Sequence, residues 1–88
     1  MHSVLFVATE IPQHKDWEQF LEEVTKKVTK SQAVERLGEA IWLVNFQADA
    51  APLGWMISEA DRRAIYYRML VFPNEPEWLP VGFGPRPT

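Results

Sequence analysis

The sequence predicts a two-layer α+β domain, in which two helices cover one face of a four-stranded antiparallel sheet. Four short segments are rich in β-branched and aromatic residues, as strands are. Two longer segments repeat apolar residues with the period of an amphipathic helix. The segments follow one another in the order βαββαβ, and this order together with the two helical periods defines the predicted class.

A hairpin over residues 33–46 is the element on which the other assignments depend. Gly38 and Glu39 form its predicted turn, because a two-residue loop with Gly first fits a type II′ turn, whose twist matches the flanking strands. That turn sets four cross-strand pairs: Leu37–Ala40, Arg36–Ile41, Glu35–Trp42 and Val34–Leu43. The second arm is almost wholly apolar, which is typical of a strand covered on both faces, whereas the first arm carries the charges of an edge strand.

The first predicted helix spans residues 15–30. Its apolar residues recur at helical spacing and form one face: Trp17, Phe20, Leu21, Val24 and Val28. Acidic residues in its first turn and lysines toward its end match the helix dipole. Its remaining charges are interpreted as a solvated face.

The second predicted helix begins after Asp49, its expected N-cap, has Pro52 in its first turn and runs to about residue 64. Its apolar face is expected to consist of Leu53, Met56, Ile57, Ala60 and Ala64. Trp55 is expected to point away from this face, on the side of Glu59 and Arg62. An outward Trp beside an Arg is either capped by the C-terminal tail or an anchor for a partner.

Residues 3–9 and 65–72 are the two remaining predicted strands, and Pro73 ends the second of them. Residues 1–73 therefore form a single α+β domain. Residues 74–88 are a tail rich in Pro and Gly, without predicted regular structure. Its apolar part, residues 78–83 with Trp78, is expected to pack on the domain.

The order of these elements is that of the split βαβ, or ferredoxin-like, fold. Right-handed crossovers then place strands 3–9 and 40–46 in the centre of the sheet and the other two at its edges. The charges agree independently, since Glu35, Arg36 and Arg68 all lie on the predicted edge strands.

The face of the sheet opposite the helices is predicted to be apolar. Alternation along the strands turns one set of side chains toward the helices: Glu35, Trp42, Val44, Phe46, Ile65, Tyr67, Met69 and Val71. The other set faces outward: Val34, Arg36, Ile41, Leu43, Asn45, Tyr66, Arg68, Leu70 and Phe72. This outward area of several hundred Å² is near or above what monomers leave exposed. A second copy of the chain, the tail around Trp78 or another partner is expected to cover it.

Composition narrows the classes of function. The net charge of −3 disfavours nucleic acid as a partner, because phosphate binding needs a basic surface. No Cys is present, and neither a signal peptide nor a transmembrane segment is evident, so a cytoplasmic protein is expected.

Chemical motifs are sparse. The two histidines, His2 and His14, lack the spacing of a metal site, and no phosphate-binding loop or nucleophile motif is found, so no metal, cofactor or catalytic residue is predicted. His14 beside Glu10 or Asp16 is the one general-base arrangement, and it is more simply a residue of the loop before the helix. The charged run from Glu59 to Arg63 either binds an anion or ends a solvated helix.

The sequence therefore predicts a small, non-catalytic binding or regulatory module that forms a homodimer through the open sheet face or a sheet edge. Its candidate binding residues are Ile41, Leu43, Asn45, Trp55, Arg62, Tyr66, Arg68, Leu70 and Trp78. One alternative is a small-molecule-binding protein or small enzyme, with a pocket between sheets that contains Asn45, Tyr66 and Arg68. A further alternative is an inhibitor or immunity-type protein that captures a basic partner with Glu22, Glu23, Glu75 and Glu77.

Overall fold

Four strands and two helices alternate along the chain in the predicted order. The computed structural model describes residues 1–10 and 14–79, with His14 described through its backbone alone. The elements are β1 (Ser3–Thr9), α1 (His14–Val28), β2 (Val34–Gly38), β3 (Ile41–Asn45), α2 (Ala51–Arg62) and β4 (Tyr66–Phe72). The sheet order is β2-β3-β1-β4 with every pair antiparallel. This confirms the ferredoxin-like fold, with β1 and β3 central.

The core lies between the helices and the inner face of the sheet. The predicted apolar face of α1 is confirmed, since Phe20 and Val24 are fully buried and Trp17 and Val28 nearly so. The ring of Phe20 meets the ring of Trp42 edge to face, with centroids 6.2 Å apart. Such aromatic pairs stabilise a fold by more than the burial of their apolar area alone, so this contact stabilises the packing of α1 on β3.

The predicted hairpin register is wrong by one residue. Gly38 lies opposite Ile41, so the two-residue loop is Glu39-Ala40, and the extra residue between Arg36 and Gly38 makes a β-bulge. The Arg36 guanidinium stabilises this arrangement, because it donates to the carbonyl oxygens of Gly38 (3.0 Å) and Glu39 (2.6 Å).

The shifted register exchanges the two faces of β2. Glu35 pairs with Leu43 and lies on the outer face, where its carboxylate meets water. Val34 and Arg36 were expected outside, but they lie on the helix side, and the guanidinium sits 5.8 Å from the Trp42 ring centroid. By contrast, the predicted faces of β3 and β4 are confirmed, because each pairs with β1 in a register that preserves them.

Helix α2 begins one residue later than predicted. Its N-cap is Ala50, which makes no side-chain cap, and Asp49 instead accepts a hydrogen bond from the Ala51 N–H (3.0 Å). The last turn closes as a Schellman motif: the N–H of Ile65 donates to the carbonyl of Ala60 (2.9 Å). This places Ala64 at φ 55°, a left-handed conformation that glycine usually occupies.

Candidate interaction surface on the fourth strand

Strand β4 forms one edge of the sheet and is apolar and exposed on both of its faces. Tyr66 and Leu70, on the face opposite the helices, are 77% and 56% exposed. Met69 and Val71, on the helix side, are 46% and 53% exposed. Exposed apolar residues are common singly, but a contiguous group on one strand marks an interaction site.

The position of α2 explains why Met69 and Val71 are exposed on the helix side of β4. The start of α2 lines a groove together with Ala33, next to the beginning of β2. Its last turn reaches β4, where the Tyr67 hydroxyl donates to Asp61 (3.2 Å). The helix therefore crosses the sheet diagonally, and it leaves uncovered the corner of the sheet that holds Met69 and Val71.

The main-chain groups of β4 alternate between β1 and the open edge. The N–H of Ala8 donates to the carbonyl of Ala40, and β1 pairs with β3 in continuous register, so even-numbered residues of β1 bond to β3. Odd-numbered residues of β1 consequently bond to β4, where their partners are even-numbered. The N–H and C=O groups of Tyr67, Met69 and Val71 are thus directed toward the outer edge.

The opposite edge, β2, differs in each of these properties. It is five residues long, carries Glu35 and Arg36, and is interrupted by the bulge at Leu37. Short length, charge and bulges are the features by which natural sheets prevent edge pairing. Strand β4 has seven residues in unbroken register, no proline and a single charge, Arg68, and among the described residues no strand pairs with its outer edge.

The sheet face opposite the helices, here called the open face, carries the apolar residues of β1 and β3 next to β4. Leu5, Val7, Ile41 and Leu43 are half-buried there. The segment after β4 lies beside one end of the open face, where Pro76 and Trp78 line a cleft of about 230 Å³. Ser3 and Asn45 line the same cleft. Trp78 itself remains 64% exposed, and residues 80–83 of the predicted packed tail lie outside the described residues.

The candidate polar groups of the open face do not converge within one chain. Asn45 is level with Ser3, and Tyr66 is level with Thr9, so they lie roughly 20 Å apart along β1. The Asn45 side-chain oxygen accepts the N–H groups of Gln47 (2.9 Å) and of the following residue (3.3 Å). Asn45 thus caps the turn after β3.

Trp55 does not point away from the core as predicted. It is half-buried against the core, and the Lys27 ammonium lies 5.8 Å from its ring centroid. Trp55 forms one wall of an open groove of about 800 Å³ between the end of α1 and the start of α2. The other lining residues are Lys27, Val28, Lys30, Ser31, Gln32, Ala33, Ala48, Asp49, Ala51 and Pro52. The groove is not evident from the sequence, because its walls come from two separate stretches of the chain, residues 27–33 and 48–55.

The charged end of α2 joins neighbouring elements. Glu59 accepts hydrogen bonds from Arg62 (2.6 and 2.7 Å) and from Arg63 (3.3 Å), and the Arg62 hydrogen bond lowers the pKa of the Glu59 carboxyl. Arg63 also donates to Gln19 of α1 (3.0 Å). Burial, reinforced by Asp61, raises the pKa of the Tyr67 hydroxyl. Both arginines are therefore engaged with Glu59, which favours the structural interpretation over an anion site.

The other predicted candidates give no second site. Glu22 and Glu23 lie on α1, whereas Glu75 lines the cleft on the open face, so the acidic residues do not form one surface. Within the described residues, no three potential metal ligands cluster, and no helix has the length and apolarity that a membrane span requires. The side chain of His14 lies outside the described part of the chain. Comparison of the chain with protein-family models, with curated proteins and with solved structures gives no match.

Proposed function

We propose that this protein is a non-catalytic binding or regulatory module that works as a homodimer through its open sheet face, with β4 at the centre of the contact. The observation that carries the proposal is the exposure of Tyr66 and Leu70 next to the half-buried Leu5 and Val7. Covering a few hundred Å² of such apolar surface is worth roughly 5–10 kcal/mol before the entropy cost of association.

The chemistry of the surface favours a second copy as the partner. Arg68 is the single charge of β4, so the strand offers little to a highly charged ligand such as nucleic acid. An apolar surface is complementary to another apolar surface, and a twofold axis brings the same patch of each copy together. Two identical copies of the chain can therefore form the two halves of the interface.

Sedimentation of the full chain between 1 µM and 1 mM, on the order of the range where weak dimers form, tests the proposal. We expect a monomer–dimer equilibrium that Leu70→Lys shifts strongly toward monomer. Leu37→Lys is the matched control, because Leu37 is also an exposed leucine but lies at the opposite edge of the sheet. A strictly monomeric wild-type chain, or equal effects of the two variants, would contradict the proposal.

The groove beside Trp55 supports a second candidate function, the binding of a small planar ligand with an anionic group. Its volume of about 800 Å³ lies within the usual range of ligand sites, and its walls combine the Trp55 ring with Lys27 and Lys30. The fluorescent probe 8-anilinonaphthalene-1-sulfonate has this chemistry. Binding that Trp55→Ala and Lys27→Glu remove, and that Leu70→Lys leaves intact, would support the groove; binding abolished by Leu70→Lys alone would refute it.

A further inference from the structure

We propose that β4 pairs antiparallel, through its main chain, with β4 of a second copy, so that two sheets join into one of eight strands. This inference rests on the proposed homodimer and places its contact at the β4 edge of the sheet instead of between two packed open faces. A strand added to a free sheet edge gains main-chain hydrogen bonds in addition to side-chain contacts.

The main-chain direction of β4 supplies the first step. Tyr67, Met69 and Val71 direct their N–H and C=O groups away from β1. These three residues form an uninterrupted row in which every second residue offers both a donor and an acceptor. No bulge, proline or lysine of β4 blocks a second strand from this row.

The exposed side chains supply the second step. Packing of two open faces would cover Leu70 but would leave Met69 and Val71 exposed on the helix side. Pairing at the edge instead places a neighbouring strand beside both faces of β4 at once. Edge pairing therefore gives cross-strand contacts to the exposed apolar residues on both faces of β4, whereas packing of the open faces reaches only those on one face.

Symmetry and charge select one register. A twofold axis at Met69 gives overlap along the whole of β4 and allows its outward groups to bond in pairs. In this register Arg68 lies opposite Leu70 of the second copy. In the neighbouring register, with the axis at Arg68, the two Arg68 side chains would lie directly opposite each other, which is unfavourable. The surface is thus complementary to itself in the register that buries most of it.

The test compares two substitutions of one residue. Met69→Pro removes an N–H that points to the open edge, so it spares the ladder with β1 and is tolerated in an edge strand. We expect it to raise the dimer Kd by roughly 30-fold or more, because two symmetry-related central hydrogen bonds are lost. Met69→Ala keeps the N–H and is the matched control, with an expected rise of less than about tenfold.

Amide hydrogen exchange gives a measurement that needs no variant. Even-numbered amides of β4 are bonded to β1 in the monomer, whereas those of Tyr67, Met69 and Val71 are bonded only in the paired dimer. Exchange of these three amides should slow as the protein concentration rises through the dimer Kd. A wild-type dimer that leaves their exchange unchanged, or that Leu70→Lys disrupts and Met69→Pro does not, would overturn edge pairing while the homodimer stands. A monomer at every concentration would overturn both.

Discussion

Two methionines of this chain allow one substitution to be compared in opposite environments. Met56 lies in the core with no exposed surface, whereas Met69 on β4 is 46% exposed. Truncation of Met56 to Ala removes three heavy atoms, which costs about 2.5 kcal/mol of transfer free energy at ~0.8 kcal/mol per methylene-sized group. The cavity left behind brings the expected loss of unfolding free energy to about 3–4 kcal/mol.

The same truncation at Met69 should cost about 1 kcal/mol, because half of the side chain already meets water and no cavity forms. Urea unfolding of Met56→Ala and Met69→Ala, at a concentration where the chain is monomeric, measures the difference directly. We expect the two variants to differ by about 2–3 kcal/mol, or roughly 8–24 °C in Tm. Losses equal within about 0.5 kcal/mol would mean that something in the monomer already covers the helix side of β4, and the interface proposal would lose its basis.

Three further predictions concern contacts that the sequence did not reveal. Replacement of Ala64 by Gly should stabilise the fold by about 0.5–1 kcal/mol, seen as a rise in Tm, because the left-handed conformation then costs less. Glu59→Gln should destabilise the fold by about 1 kcal/mol at neutral pH in urea titrations. Since the folded pKa of Glu59 is lowered from its ordinary 4.5, that difference should be full above about pH 4.5 and vanish as the pH falls through the folded value. Arg36→Met should lower the free energy of unfolding by about 1 kcal/mol, whereas in the predicted register the substitution would have no effect on stability. A loss below about 0.3 kcal/mol would argue against the guanidinium contacts with the turn.

Much of the fold follows from patterns that the sequence displays openly. Alternation along β3 assigns Trp42 and Val44 to the core, and both are fully buried. The same alternation assigns the two faces of β4, because the charged Arg68 is expected on the face opposite the helices, and the observed pairing with β1 agrees with this assignment. Helical periodicity identifies the buried face of α1 for the same reason: one surface of each element must meet the core.

The hairpin register could not be predicted in this way. Gly38 satisfies the requirement of a type II′ turn in the predicted position, and nothing local favours a bulge at Leu37 instead. The difference arises from Arg36, whose guanidinium bonds two carbonyls of the turn and lies over Trp42. Such an interaction depends on the tertiary position of β3. The unexplained inward Glu35 of the predicted register was the one sign of an error, since a buried carboxylate without a partner is costly.

The sequence predicts that Tyr66 and Leu70 lie on the open face, but it does not predict the exposure of Met69 and Val71 on the helix side. The sequence indicates that the sheet is apolar on both sides, which directs attention to the centre of the open face. The sequence contains no information on the angle at which α2 crosses the sheet. Its helical periodicity separates the buried side from the exposed side, but it does not show which elements the helix contacts on either side. The contacts of Trp55 with the end of α1 and of Tyr67 with Asp61 show which neighbours the two ends of α2 meet.

The diagonal path of α2 links these contacts to the proposed interface. Only residues 63–65 separate α2 from β4, so β4 must begin beneath the last turn of the helix and then diverge from it. At the other end, Trp55 packs against the core, with the Lys27 ammonium of α1 5.8 Å from its ring centroid. Neither contact involves Met69 or Val71, whose side chains remain exposed. A partner strand satisfies β4 without disturbing either contact, which is why a second chain, rather than a shift of α2, is the economical way to cover it.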